Sequence, residues 1–317
     1  MAKILVTGCA GFIGSHLSES LLLDGHDVTG IDCFNDNYAR RQKLVNLHLC
    51  QDYDSFEFVP IDLSRGDLRE LLDGVDEVFH LAAEPGVRSS WGSRFERYTQ
   101  NNVVATQQLL EAARALPSQP RIVYASSSSI YGDAETLPTP VDATPGPMSP
   151  YGVTKLAGEH LMRLYHANYG LETVSLRYFT VFGPRQRPDM AFHIFCRAAL
   201  DGTPLTIFGD GLQSRDFTYV HDVVDATKAA ATAAGVAGQV FNVGGGARTT
   251  LREVLDLIGE YAGRELDVQY QSSEHGDVRH TSADTASTRL ALGFDPQVSL
   301  ADGLRAEFEW LQSAIAA

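Results

Sequence analysis

Gly8, Gly11 and Gly14 follow directly on the apolar run Ile4-Leu5-Val6, and that placement constrains the fold more than any other feature of the chain. The segment reads as a buried strand, a tight turn and a helix that starts at the turn. A turn without side chains lets backbone approach a pyrophosphate. The helix N-terminus behind it offers free N–H groups and the positive end of a dipole. Further on, Val28-Thr29-Gly30-Ile31 predicts a second short strand that ends in Asp32. A carboxylate there accepts both hydroxyls of an adenosine ribose and repels the extra phosphate of NADP, so the pattern predicts NAD as cofactor. A glycine triplet by itself marks only a turn. The strand before it, the helix after it and the acid on the next strand select the dinucleotide reading.

Composition removes several classes of function. The 317 residues suffice for one large or two modest domains, and 44% of them are hydrophobic, as in a globular protein. No apolar run reaches the ~20 residues that span a bilayer. The first strand is committed to the nucleotide fold rather than to a signal peptide, so a cytoplasmic protein without membrane contact is expected. Lys and Arg total 25 against 40 Asp and Glu, a formal charge of -15, which argues against nucleic acid as a partner. Cys9, Cys33, Cys50 and Cys196 lack metal-ligand spacing and predict reduced core thiols with no metal site.

Strands are predicted at 3–7, 27–32, 56–60, 76–81 and 121–126, and helices at 12–24, 38–49, 64–72 and 97–115. The strands are short and apolar without clean alternation, as in a parallel sheet covered on both faces. Another helix starts near Pro150, tolerated in a first turn, and runs to Tyr169-Gly170, followed by a strand at 171–177. Beyond Gly183-Pro184 the character changes. Helices are expected at 190–201, 222–234, 249–262 and 299–314, strands at 204–208, 215–220 and 241–243, and a polar stretch at 271–288. Thr249 is the expected cap of the 249–262 helix, with Glu253 supporting its first turn. The reading is an α/β chain: a Rossmann-like parallel sheet with helices on both faces over 1–178, binding NAD, and a smaller C-terminal α/β lobe over 179–317 for substrate. Segments of the second lobe are expected to return to the first.

Tyr151 and Lys155 stand four residues apart, on one face of a helix. A phenol titrating near ~10 is a poor base at neutral pH. A neighbouring ammonium and a positive nicotinamide favour the phenolate. Tyrosine and lysine often share a helix face without chemical purpose, but behind a dinucleotide-binding half the pair points to hydride chemistry. Four serines at 126–129 end the strand before this helix. They either close a strand-to-loop transition by local backbone bonding or, at the carboxyl edge of an open sheet, face a ligand.

With these features in order, the chain resembles the extended short-chain dehydrogenase/reductase family over essentially its whole length. The resemblance rests on Thr-Gly-x-x-Gly-Phe-Ile-Gly at 7–14, Asp32, Asp62-Leu63, His80-Leu81-Ala82-Ala83, Asn101-Asn102-Val103, 126–132, Tyr151-x-x-x-Lys155, Arg177-Tyr178-Phe179 and 215–220. It implies that Gly8, Gly11, Phe12, Ile13 and Gly14 form the cofactor turn, that Asp32 holds the adenosine ribose, and that Asp62 and Leu63 border the adenine. It also implies that Leu81, Ala82, Ala83 and Asn101 line the cofactor path and that Phe179 lies beside the nicotinamide. Tyr151 is implied as acid/base, Lys155 as the residue that orients the nicotinamide ribose and lowers the tyrosine pKa, and Ser127 as the ligand of the reacting sugar hydroxyl. The helices at 97–115 and 151–168 are those through which family members form homodimers.

The same resemblance implies a UDP-sugar substrate. Arg215 is similar to the arginine that binds the diphosphate, and Arg279, after Gly276-Asp277, is a second expected clamp. Arg88 is a third expected substrate contact, and Glu84, an acid ill suited to a dianionic diphosphate, either points away or pairs with Arg88. Ser128 and Ser129 stand where dehydrating and decarboxylating relatives carry acids, which leaves reversible oxidation and reduction at C4. The run from Thr180 to Ala191, with Arg185-Gln186-Arg187-Pro188-Asp189-Met190, is similar to that of UDP-glucuronate 4-epimerases and places Thr180 and Arg187 at a sugar carboxylate. A guanidinium fork matches a carboxylate, whereas a neutral CH2OH offers no charge to pair. Arg177, Arg185 and Arg187 are consistent with a crowded polyanion site, or one or two of them anchor the loop to Asp189 or Asp216. The expected reaction is C4 epimerisation of UDP-glucuronate to UDP-galacturonate through a 4-keto sugar. UDP-glucose epimerisation, UDP-glucuronate decarboxylation and a non-enzymatic NAD sensor are the alternatives.

Overall fold

The computed structural model describes residues 1–272 and 278–316. Its strands are β1 (Lys3–Thr7), β2 (Asp27–Ile31), β3 (Phe56–Val59), β4 (Glu77–His80), β5 (Arg121–Ser127), β6 (Thr173–Tyr178), β7 (Thr180–Phe182), β8 (Leu205–Phe208), β9 (Ser214–Tyr219), β10 (Val240–Val243), β11 (Ala247–Thr250) and β12 (Val268–Gln271). Among the described residues the main sheet has the order β10-β6-β5-β4-β1-β2-β3, with every pair parallel. Leu5, Val6, Val78, Phe79, Ile122, Val123, Val174 and Leu176 are buried in it, because helices cover both faces and leave no wet side to the strands. The strand order reverses between β1 and β4, and a ligand crevice is expected beyond the carboxyl ends at such a reversal. β7, β9 and β11 form a second small sheet, and β8 pairs with β12. Among the described residues no helix is long and apolar enough to cross a membrane, and no cluster of His, Cys, Asp or Glu suits a metal ion.

Several elements depart from expectation. The helix expected at 64–72 is confined to Arg69–Leu72, because the Asp62 carboxylate accepts from the Ser64 N–H and hydroxyl and holds 62–64 in a side-chain-closed turn. The helix expected at 38–49 is two, Arg40–Asn46 and His48–Gln51. Thr249 does not cap the Leu251–Ala262 helix, since it remains in β11 opposite Arg215. Thr250 caps instead, in a reciprocal box with Glu253. Cys9, Cys50 and Cys196 are buried free thiols, but Cys33 is exposed rather than in the core, because it follows β2 onto the sheet's open edge. Gly276-Asp277, read as leading to Arg279, lies outside the described residues.

Candidate active site

One cleft opens above the reversal point between β1 and β4. Gly8, Gly11, Phe12, Ile13 and Gly14 form its floor, with Asp32, Asp62 and Leu63 at one end and Leu81, Ala82, Ala83, Asn101, Tyr151 and Lys155 toward the other. The floor has no space for side chains. Gly8 has φ +72° and its N–H donates to Ile31 O at 2.7 Å; a Cβ there would lie 2.9 Å from Ala82 N. A Cβ on Gly14 would lie 2.2 Å from Gly8 O. The Phe12–Leu23 helix starts at this turn and aims its first N–H groups along the cleft. Bare backbone, a helix N-terminus and a carboxylate at the end of β2 are the parts a dinucleotide needs, and the residues present fit NAD.

The Asp32 end holds residues that the sequence reading missed. Asp32 Oδ1 accepts from Phe34 N at 2.7 Å and lies 3.7 Å from Lys43 Nζ. Lys43 is buried, donates to Asn35 and sits 5.0 Å from the Tyr38 ring centroid, and Asn35, Tyr38 and Lys43 all line the cleft. Below the cleft His80 lies between the hydroxyls of Thr7 and Thr106, each at 2.9 Å. Burial, reinforced by Lys155, pulls this imidazole down to about 3, so it is neutral.

Tyr151 and Lys155 sit in the first turns of the Pro150–Tyr169 helix, which is capped by the Ser149 hydroxyl and enters with Pro150. Burial pushes the Tyr151 phenol up, while a hydrogen bond with Ser127 and the positive charge of Arg187 pull it down. Lys155, one helical turn beyond Tyr151, donates through its Nζ to Ala125 O at 2.8 Å. Burial pulls Lys155 down to about 7, against the carboxylate of Glu159. The Ser127 hydroxyl accepts from Ser129 N and donates to Ser129 Oγ, both at 3.1 Å, and Ser128 and Ser129 open a short helical turn. Phe179 is buried against Gly244, just outside the cleft lining, and Thr180 opens β7 opposite Phe217.

The arginines separate into distinct roles. Arg187 lines the cleft and clamps Asp189 with both arms, Nε–Oδ1 at 3.0 Å and Nη2–Oδ2 at 2.9 Å. Arg185 reaches away from the cleft to Glu19, at 2.7 Å. Arg177 is buried and binds Glu159 through two 2.9 Å bonds, as well as Tyr131 and Val141 O. The crowded site of three arginines does not form: each of the three is paired with an acid of the chain, and of them Arg187 alone lines the cleft. Arg88, Arg215 and Arg279 converge on 208–215: Arg88 lies over the Phe208 ring at 4.5 Å, Arg215 donates to Ser214 O and Arg279 O, and Arg279 clamps Asp210 at 2.8 Å. Buried Glu84 meets Arg97 at 3.4 Å rather than Arg88, because Asn102 pins its backbone so that the carboxylate faces Asn35 and Arg97.

Residues 4–244 match the family model described as the NAD dependent epimerase/dehydratase family. The chain belongs to that family. It is 46% identical over 312 residues to a Bacillus subtilis protein named an uncharacterized UDP-glucose epimerase, covering 98% of each chain. It is 39% identical to the UDP-glucose 4-epimerase of Mycolicibacterium smegmatis over 98% of this chain and 99% of that one. A crystal structure of the UDP-glucuronic acid 4-epimerase of Bacillus cereus, with UDP-glucuronic acid and NAD, superposes with a TM-score of 0.96 at 43% identity over 98% of this chain and 99% of that one. The family match agrees with the resemblance read from the motifs, and the parallel sheet with the expected fold class.

Proposed function

We propose that this chain interconverts UDP-glucuronate and UDP-galacturonate at C4, with NAD held along the Gly8–Gly14 turn and regenerated in each cycle. The observation that carries the choice of sugar is Arg187. It lines the cleft within electrostatic reach of Tyr151, where a C6 carboxylate meets a charged fork. Gly8, Gly11 and Gly14 would hold the pyrophosphate, Asp32 the adenosine ribose and Asn101 the cofactor path. Bound NAD supplies a reversible hydride acceptor for C4. Tyr151, hydrogen-bonded to Ser127, takes the O4 proton as C4 is oxidised and returns it on reduction from the opposite face. Lys155, as an ammonium, stabilises the phenolate and orients the nicotinamide ribose. Ser128, Ser129 and Thr180 serve the sugar. Arg88, Arg215 and Arg279 serve the diphosphate, with Arg279 exchanging Asp210 for phosphate oxygens. A 4-keto uronate is a β-keto acid and loses CO2 when its C–CO2 bond aligns with the carbonyl π system. Arg187 and Thr180 hold the carboxylate out of that alignment.

The second reading is UDP-glucose epimerisation. The Arg187–Asp189 clamp favours it, since a guanidinium neutralised from within leaves an uncharged place for CH2OH. Exposed Trp91, Phe95, Met148 and Val153 form an apolar surface at the start of the Pro150–Tyr169 helix and support a homodimer, and we place the reaction in the cytoplasm. The test is incubation of the NAD-loaded protein with each UDP-sugar, followed by product NMR. UDP-galacturonate is expected from UDP-glucuronate, and Tyr151→Phe is expected to lose about a thousandfold in kcat. Epimer formed from UDP-glucose alone, or full turnover by Tyr151→Phe, would overturn the proposal.

A further inference from the structure

We propose that Glu159 is a positioning residue for the proton chemistry: its carboxylate holds Lys155 in the ammonium form and fastens the serine-bearing strand end to the helix that carries Tyr151. This rests on the reading of Tyr151 and Lys155 given above. Glu159 lies one helical turn beyond Lys155 and two beyond Tyr151, within the Pro150–Tyr169 helix. It is 3% exposed and Lys155 4%, so the two charges, one helical turn apart, lie where little water screens them. Glu159 Oε1 accepts from Ser126 Oγ at 2.5 Å, which ties the end of β5, immediately before Ser127, to the helix. Arg177 on β6 grips both carboxylate oxygens, each at 2.9 Å.

The surroundings of Lys155 make this acid decisive. From β5 it meets Ala125 O and the ring of Tyr124, at 5.1 Å, whose phenol burial pushes well up. From β4 it meets His80, which is neutral. From β6 the only charge is Arg177, already engaged by Glu159. From the Thr99–Val104 segment Asn102 binds Thr154 and brings no charge, and Tyr98 of the preceding helix faces the Tyr151 ring. Among the described groups, Glu159 is thus the one that favours a charged lysine, and burial opposes it. A lysine near neutrality is fully charged only below its midpoint. Loss of the acid moves that midpoint, and with it the alkaline fall in activity, to lower pH.

The experiment follows the Lys155 ε-carbon by 13C NMR across pH in the NAD-loaded protein, with Lys155→Arg to assign the signal, beside the pH profile of kcat. In Glu159→Gln both midpoints are expected to fall by about one pH unit. In Glu159→Asp, which keeps the charge, they are expected to stay within a few tenths of wild type. Should Glu159→Gln alone fail to fold with Arg177 bare, Glu159→Gln/Arg177→Gln leaves no bare guanidinium, and a smaller shift in the same downward direction is expected. An unchanged Lys155 midpoint in the folded neutral variant, or equal shifts in the Gln and Asp variants, would overturn the proposal. The NMR midpoint needs no sugar, so a protein that epimerised neither UDP-sugar would sink the functional reading and leave this result standing.

Discussion

Around Gly8 and Gly14 the cleft wall is bare backbone with no room for one added carbon, whereas around Arg187 it is a guanidinium already holding Asp189. The first wall is complete before anything binds: its N–H groups and its turn are set by the fold. The second wall is occupied by a carboxylate of the chain itself, and so are the Arg279 and Asp210 positions near the expected diphosphate. A cofactor that stays bound through each cycle suits a wall that needs no rearrangement. A substrate that must enter, turn and leave suits charges that are handed between internal and external partners, since the chain's own carboxylate offsets the cost of leaving an arginine bare.

The sharpest way to break this contrast is Gly14→Ala. Its Cβ would fall 2.2 Å from Gly8 O, so the turn must deform, and NAD affinity is expected to drop about a hundredfold, or ~3 kcal/mol, by calorimetry. Unchanged affinity would mean that the turn is not the preset wall described here. Arg187→Ala should lower kcat/KM for UDP-glucuronate about thirtyfold to a hundredfold, leave UDP-glucose within a few-fold, and raise the UDP-pentose share of the product. An unchanged ratio of pentose to epimer would remove the carboxylate-holding role. The smallest effect is expected from Asp189→Asn. Freeing Arg187 from an acid that is itself half exposed should lower KM for UDP-glucuronate about threefold, with no gain for UDP-glucose, in steady-state assays.

The cofactor half was legible in the sequence because its determinants are local. Glycine spacing, a strand on each side and one acid at a strand end report directly on a turn and its ligand, and the residues named for it, Phe179 excepted, line one cleft. The sugar half was less legible because its determinants are pairings between distant segments. Arg177 and Arg185 looked like candidates for an anion until Glu159 and Glu19 arrived from other elements. Lys43 read as one more polar residue on a helix, and only the fold of the loop after β2 buries it against Asp32. Glu159 carried no signal either: an acid four residues after a lysine is an ordinary surface pattern, and its burial comes from β5 and β6 packing beneath the helix. Thr249 and Thr250 are chemically alike, and the register of β11 against β9, set by tertiary pairing, decides which one caps.

β10 bears on how the molecule is held together. It comes late in the chain yet pairs in parallel with β6, from Val240 beside Ser175 to Val243 beside Tyr178. A polypeptide cut after Tyr178 would leave β6 as a bare, apolar edge, open to pairing with other molecules. Asn242, in the same returning strand, also receives the Tyr131 hydroxyl and donates to Thr139 O. The late strand β10 thus seals an edge of the main sheet, which makes the early and late parts of the chain depend on each other for a closed edge.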